Sequence, residues 1–138
     1  MLLDAAGATD EQLASIDDAL TMWHEHGVPG PVASGDASMA SIQVVFENAA
    51  PAFHGLYDDE AGVIYINTAL GDRRERAITV AHELGHALGM WHVADRVSVM
   101  NPNNLDVEPT DVDQATLEQL WGACGTGGLL APESPDLR

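Results

Sequence analysis

The stretch His82-Glu83-Leu84-Gly85-His86-Ala87-Leu88-Gly89-Met90-Trp91-His92 decides how the chain is read. On a helix, positions four apart lie about 40° around the axis and about 6 Å along it, so His82 and His86 project from one face towards one point. Glu83 lies about 100° round from His82, where its carboxylate reaches a metal-bound water without having to ligate the ion. His92 could not join them on a continuing helix: it would sit about 9 Å beyond His86 on a different face, against a required Zn–N distance of about 2.0–2.1 Å. Gly89 removes the conflict, because glycine reaches positive φ without steric cost, ends the helix and swings residues 90–92 back beneath the same ion. Three His ligands leave one tetrahedral position for water, which is the arrangement of a catalytic zinc and not of a closed structural one. Core packing explains the cluster poorly, since each buried imidazole would need its own polar partners.

The helical period continues upstream, where Ala77, Ile78, Ala81, Leu84, Ala87 and Leu88 recur at helical spacing from about Asp72. Downstream, residues 93–109 carry Pro102, Asn103, Asn104 and Pro109 and read as a long irregular segment of the kind that serves function. Thr110 can then cap a last helix, with Asp111 and Asp113 in its first turn, Val112, Leu117, Leu120 and Trp121 as its apolar stripe, and Gly122 as its end. Towards the start of the chain, Thr9-Asp10-Glu11-Gln12 is a capping box, and Leu13, Ile16, Leu20 and Trp23 give the stripe of a helix over about 10–26. Residues 28–40 read as a loop. Strands follow at Ser41–Glu47, with Ile42, Val44 and Phe46 on one face, at the short edge segment Ala52–Tyr57, and at the β-branched run Val63–Asn67. The order implies an α+β fold with a small sheet, a backing helix and an active-site helix.

The chain has 138 residues, enough for one domain with its own core, and 46% of them are hydrophobic. Acidic residues number 22 against 5 basic ones, all Arg, for a net charge of −17. Such a surface repels phosphate backbones and anionic headgroups, which excludes a nucleic-acid or polybasic membrane role and attracts divalent cations. No stretch approaches the ~18 apolar residues of a membrane span, and the first residues lack the basic and apolar regions of a signal peptide. Cys124 is the single cysteine and has no internal partner. The acidic run Asp58-Asp59-Glu60 offers carboxylates to Ca²⁺, with a solvated turn as the competing reading. Trp23, Trp91, Trp121 and Met90 are expected to pack in the core, and His24, His26 and His54 to be surface residues.

Residues 82–92, followed by Ser98-Val99-Met100-Asn101-Pro102, resemble the metzincin zinc metallopeptidases, whose pattern is HExxHxxGxxH plus a Met-turn. The eight-residue step from His92 to Met100 is similar to that of matrixins. The resemblance implies a metzincin-like zincin with a small mixed twisted sheet, in one catalytic domain over 1–138. That domain would divide into an N-terminal subdomain of about 1–92, a C-terminal subdomain of about 93–124 and a mobile tail at 125–138. It implies that His82, His86 and His92 bind one catalytic Zn²⁺, that Glu83 is general base and acid in peptide hydrolysis, and that Gly89, Met100 and Pro102 shape the site. A peptide or protein substrate would pair with an edge strand at Phe53–Tyr57, with residues 101–105 walling its pocket, and the enzyme would be a secreted monomer. The chain departs from matrixins at Val93, where Ser is usual, and between Asn48 and Gly62, where His54 alone cannot build a structural zinc site. The reading from a different class is a non-catalytic, zinc-stabilised module that binds or regulates peptides, against which the presence of Glu83 speaks.

Overall fold

The computed structural model describes residues 2–28 and 41–122. In chain order the elements are β1 (Leu2–Asp4), α1 (Asp10–His24), β2 (Ser41–Glu47), β3 (Gly55–Asp58), β4 (Val63–Asn67), α2 (Arg73–Ala87) and α3 (Asp111–Trp121). The fold is α+β, with an open mixed sheet in the order β1-β2-β4-β3. β1, β2 and β4 run parallel, while β3 is antiparallel to β4 and forms an edge. The register sets Val44 beside Ile64 and Phe46 beside Ile66, so the apolar residues of both strands share one face. Against that face pack Ile16, Ala19 and Trp23 of α1 and Val80, Ala81 and Leu84 of α2.

Local chemistry accounts for the helix limits. Thr9 Oγ1 accepts the Gln12 N–H at 3.2 Å while Gln12 Oε1 accepts the Thr9 N–H at 2.8 Å, which is the reciprocal capping box expected there. Asp72 Oδ1 accepts the Glu75 N–H at 2.9 Å and starts α2. Three arginines stand in the first turn of α2, where the helix dipole disfavours cations, and each is engaged elsewhere. Arg73 donates twice to Asp18 of α1, at 2.7 and 2.9 Å. Arg74 reaches the Asp106 carbonyl and Glu108. Arg76 is buried and donates to Ser15 Oγ and to the Leu70 and Gly71 carbonyls. These contacts fix the start of α2 to α1 and to the segment before α3, and so set where the far end of the helix lies.

Several expectations need correction. β1 has no counterpart among the strands expected from the sequence, because a three-residue strand whose partner lies at Ser41–Gln43 leaves no local periodicity. The edge strand starts at Gly55, later than Ala52, because residues 51 and 52 form a turn, closed by the Phe53 N–H on the Ala50 carbonyl at 2.9 Å. Leu13 and Val112 lie on the predicted apolar stripes yet are 40% and 44% exposed, since neither helix is covered along its whole stripe. The loop expected at 28–40 falls, from residue 29 on, outside the described residues, as do Cys124 and the tail at 125–138. Among the described residues, no helix is long and apolar enough to cross a membrane.

Candidate metal centre

α2 ends as the glycine reading requires. Leu88 is its C-cap, Gly89 has φ of 98°, the Gly89 N–H donates to the His86 carbonyl at 3.0 Å and the Met90 N–H to the Gly85 carbonyl at 2.9 Å. This pair of bonds closes the helix in the manner of a Schellman motif and reverses the chain within two residues. From α3, the Trp121 indole donates to the Leu88 carbonyl at 2.7 Å and satisfies one more group at the helix end. The Val93 N–H then bonds the Met100 carbonyl at 3.1 Å, and Asn101 Nδ2 donates to the Val93 and Arg96 carbonyls at 2.8 Å each. His92 is thereby held against the turn that carries Met100.

The three imidazoles converge. His92 Nε2 lies 3.2 Å from His82 Nε2 and 3.2 Å from His86 Nε2, and ligand atoms of all three lie within 4.8 Å of one another. Two nitrogens bound at 2.0–2.1 Å to one tetrahedral ion stand about 3.3 Å apart, so the spacing suits zinc. The opposite ring nitrogens of two of the histidines are engaged: His82 Nδ1 meets the Val99 carbonyl at 2.6 Å and His86 Nδ1 the Met90 carbonyl at 2.9 Å. Donation from Nδ1 to a carbonyl fixes the tautomer that leaves Nε2 with a free lone pair for a metal. Burial lowers the His82 pKa to about 4, against the opposing pull of the Val99 carbonyl, and lowers that of His86 as well. Both rings are therefore held in the neutral form that ligates.

Glu83 is 5% exposed, and its Oε2 is buried with no hydrogen-bond partner among the described residues. Loss of solvent pushes its carboxyl up to about 7. A buried carboxylate oxygen is costly without a partner, and a water on a metal held by the three histidines would supply one. Glu83 lines one cleft of about 680 Å³ with all three histidines. Beneath it, Met100 is fully buried, and a Cβ on Gly85 would overlap its sulfur.

These observations place the sequence candidates. His82, Glu83, His86 and His92 come together, Gly89 makes the turn, and Met100 lies under α2. Pro102 is exposed, and the wall of the cleft from its segment is made by Asn103 and Asn104. Asn103 has φ of 57° and, among the described residues, is the one non-glycine with positive φ.

Residues 75–122 match the family model for matrixins. The matrixin match covers the His cluster, the turn with Met100 and α3, and does not extend over the sheet or α1. No curated protein matches the chain.

Three features of this matrixin-like segment and its cleft escape the sequence reading. Trp91 is 64% exposed and lines the cleft instead of packing in the core, and Trp121 is 48% exposed, acting at the end of α2. His54 also lines the cleft and is close enough to His82 to disfavour its charged form. The acidic run, by contrast, forms the turn expected of it, with the Asp58 carboxylate accepting the Glu60 and Ala61 N–H groups at 3.1 Å.

Proposed function

We propose that this chain is a zinc-dependent endopeptidase whose general base and acid is Glu83. The observation that carries the reading is the buried, unpartnered Glu83 Oε2 in the cleft where three imidazole Nε2 atoms converge. His82, His86 and His92 would hold the zinc, which when bound polarises the scissile carbonyl and makes water a nucleophile near neutral pH. Glu83 accepts the proton of the attacking water at Oε2. It then delivers that proton to the amine nitrogen as the C–N bond breaks, so no covalent acyl-enzyme forms. A carboxyl raised towards 7 by burial suits both roles, because it can hold or release a proton near neutrality.

Substrate binding falls to β3. Among the described residues β3 is an edge strand with β4 on one side only, which leaves backbone groups for an extended peptide, and Leu56 and Tyr57 line the cleft. Met100 in a Met-turn supports the floor, and an extracellular site of action accords with the resemblance to matrixins. The competing reading, a zinc-held module that captures peptides without cutting them, gives no use to an unpartnered acid beside the metal. Casein digestion by the zinc-loaded chain and by Glu83→Ala distinguishes them. Cleavage by the parent and not by the variant supports the peptidase; zinc binding by both with cleavage by neither supports the module.

A further inference from the structure

Asp113 is 2% exposed and sits at the third position of α3, where the sequence assigns it to helix capping. It does cap the helix, since its Oδ2 accepts the Thr110 N–H at 2.9 Å and the Thr110 hydroxyl at 3.1 Å. The same carboxylate also crosses to the turn before Met100. Its Oδ2 accepts the Val99 N–H at 2.9 Å, and its Oδ1 accepts the Ser98 hydroxyl, whose oxygen in turn accepts the Met100 N–H at 2.9 Å. Val99 is thus held at both ends. Its N–H is fixed by Asp113, and its carbonyl meets His82 Nδ1 at 2.6 Å and accepts from Asn104 Nδ2 at 3.1 Å.

We infer that Asp113 is a positioning residue for the metal centre, acting through Val99 on the orientation and tautomer of His82. The inference rests on the zinc reading above. Capping alone does not require contact with Ser98 or Val99; those two bonds make the first turn of α3 the support on which the carbonyl behind His82 is aimed. Groups behind a histidine ligand tune its orientation and basicity, and their loss weakens binding by about 10–100-fold. One residue further out, Asp113 is expected at the low end of that range.

The test uses the full chain with Zn²⁺ and Co²⁺ as probes. Asp113→Asn keeps the shape but cannot accept from all four donors at once. Its zinc affinity, measured by chelator competition, should fall about tenfold, and the visible absorption of its cobalt form should shift. Leu117→Ala, which empties a core position on the same helix, lowers the unfolding temperature without removing any hydrogen bond to Val99. It should keep both metal readouts at the parent's values. Parent-like zinc affinity and cobalt absorption in Asp113→Asn, or equal losses in Leu117→Ala, would overturn the inference. If Asp113→Asn does not fold, Ser98→Ala carries the test: weaker zinc with a shifted cobalt band supports the inference, and parent values contradict it. A parent chain that binds neither ion would overturn the metal reading itself and this inference with it, a result separable from a variant that matches a metal-binding parent.

Discussion

The sulfur of Met100 occupies the space that a side chain on Gly85 would fill, with Trp23 Cζ2 3.5 Å from that same position. Mid-helix glycine is unfavourable by about 1 kcal/mol relative to alanine, so its place in α2 is explained by the close approach and not by propensity. Gly85→Ala gains that ~1 kcal/mol and loses about 1–3 kcal/mol to overpacking. Net destabilisation of about 1 kcal/mol is expected in denaturant unfolding. In a Met100→Ala background the same substitution should be neutral or stabilising, because the overlap is gone; equal effects in both backgrounds would refute the packing account.

Gly89 carries the turn on which His92 depends. Alanine at φ of 98° is strained by about 1–2 kcal/mol, and the strain relaxes most easily by unwinding the turn. Gly89→Ala should therefore lower both stability and zinc affinity, while Gly89→Asn, which tolerates positive φ better, should recover part of each. Calorimetry of zinc binding to the two variants checks this.

The parts of the molecule legible in the sequence are those set by short-range chemistry. The capping box at Thr9, the cap at Thr110, the β-branched run of β4, the His spacing and the stop at Gly89 all act within a few residues, and each appears where the sequence places it. What escapes a sequence reading depends on distant partners. β1 exists through pairing with β2, which lies far along the chain. Trp91 is exposed because the turn aims it into a cleft, and Asp113 looks like an ordinary cap until Ser98 and Val99 are brought against it. The one signal that sets Asp113 apart is its burial, which no local pattern announces.

The metal-free protein should show an unusual dependence of stability on pH. The His82 pKa is depressed to about 4, so the unfolded chain binds more protons there, and this group's contribution rises with pH from about 4 to 6.5. The Glu83 pKa is raised to about 7, so the folded chain binds more protons, and its contribution is lost as pH climbs from about 4.5 to 7. Over the shared window the two oppose each other. Glu83→Gln removes the falling contribution, so its unfolding free energy should climb more steeply from about pH 4.5 to 6.5 than the parent's. Urea unfolding of both in chelator, across that window, measures it; parallel slopes would contradict the burial of Glu83.

The net charge of −17 predicts faster capture of cationic peptides. Replacing neutral residues by Lys or Arg in a cleaved peptide should raise kcat/KM at low salt, and the advantage should shrink by about 0.5 M salt as screening shortens to a few ångströms. A rate indifferent to both would make the charge a matter of solubility.

The central claim is that Glu83, beside a zinc held by His82, His86 and His92, makes this chain a peptidase. It is tested most directly by profiling a peptide library by mass spectrometry with the zinc-loaded parent, the parent in chelator and zinc-loaded Glu83→Ala. The account predicts a consistent set of internal cleavages in the first sample, absent from the second and restored by zinc, and at least about a hundredfold slower in the third. Cleavage that is unchanged by Glu83→Ala, or no cleavage by a parent shown to hold zinc, would contradict it.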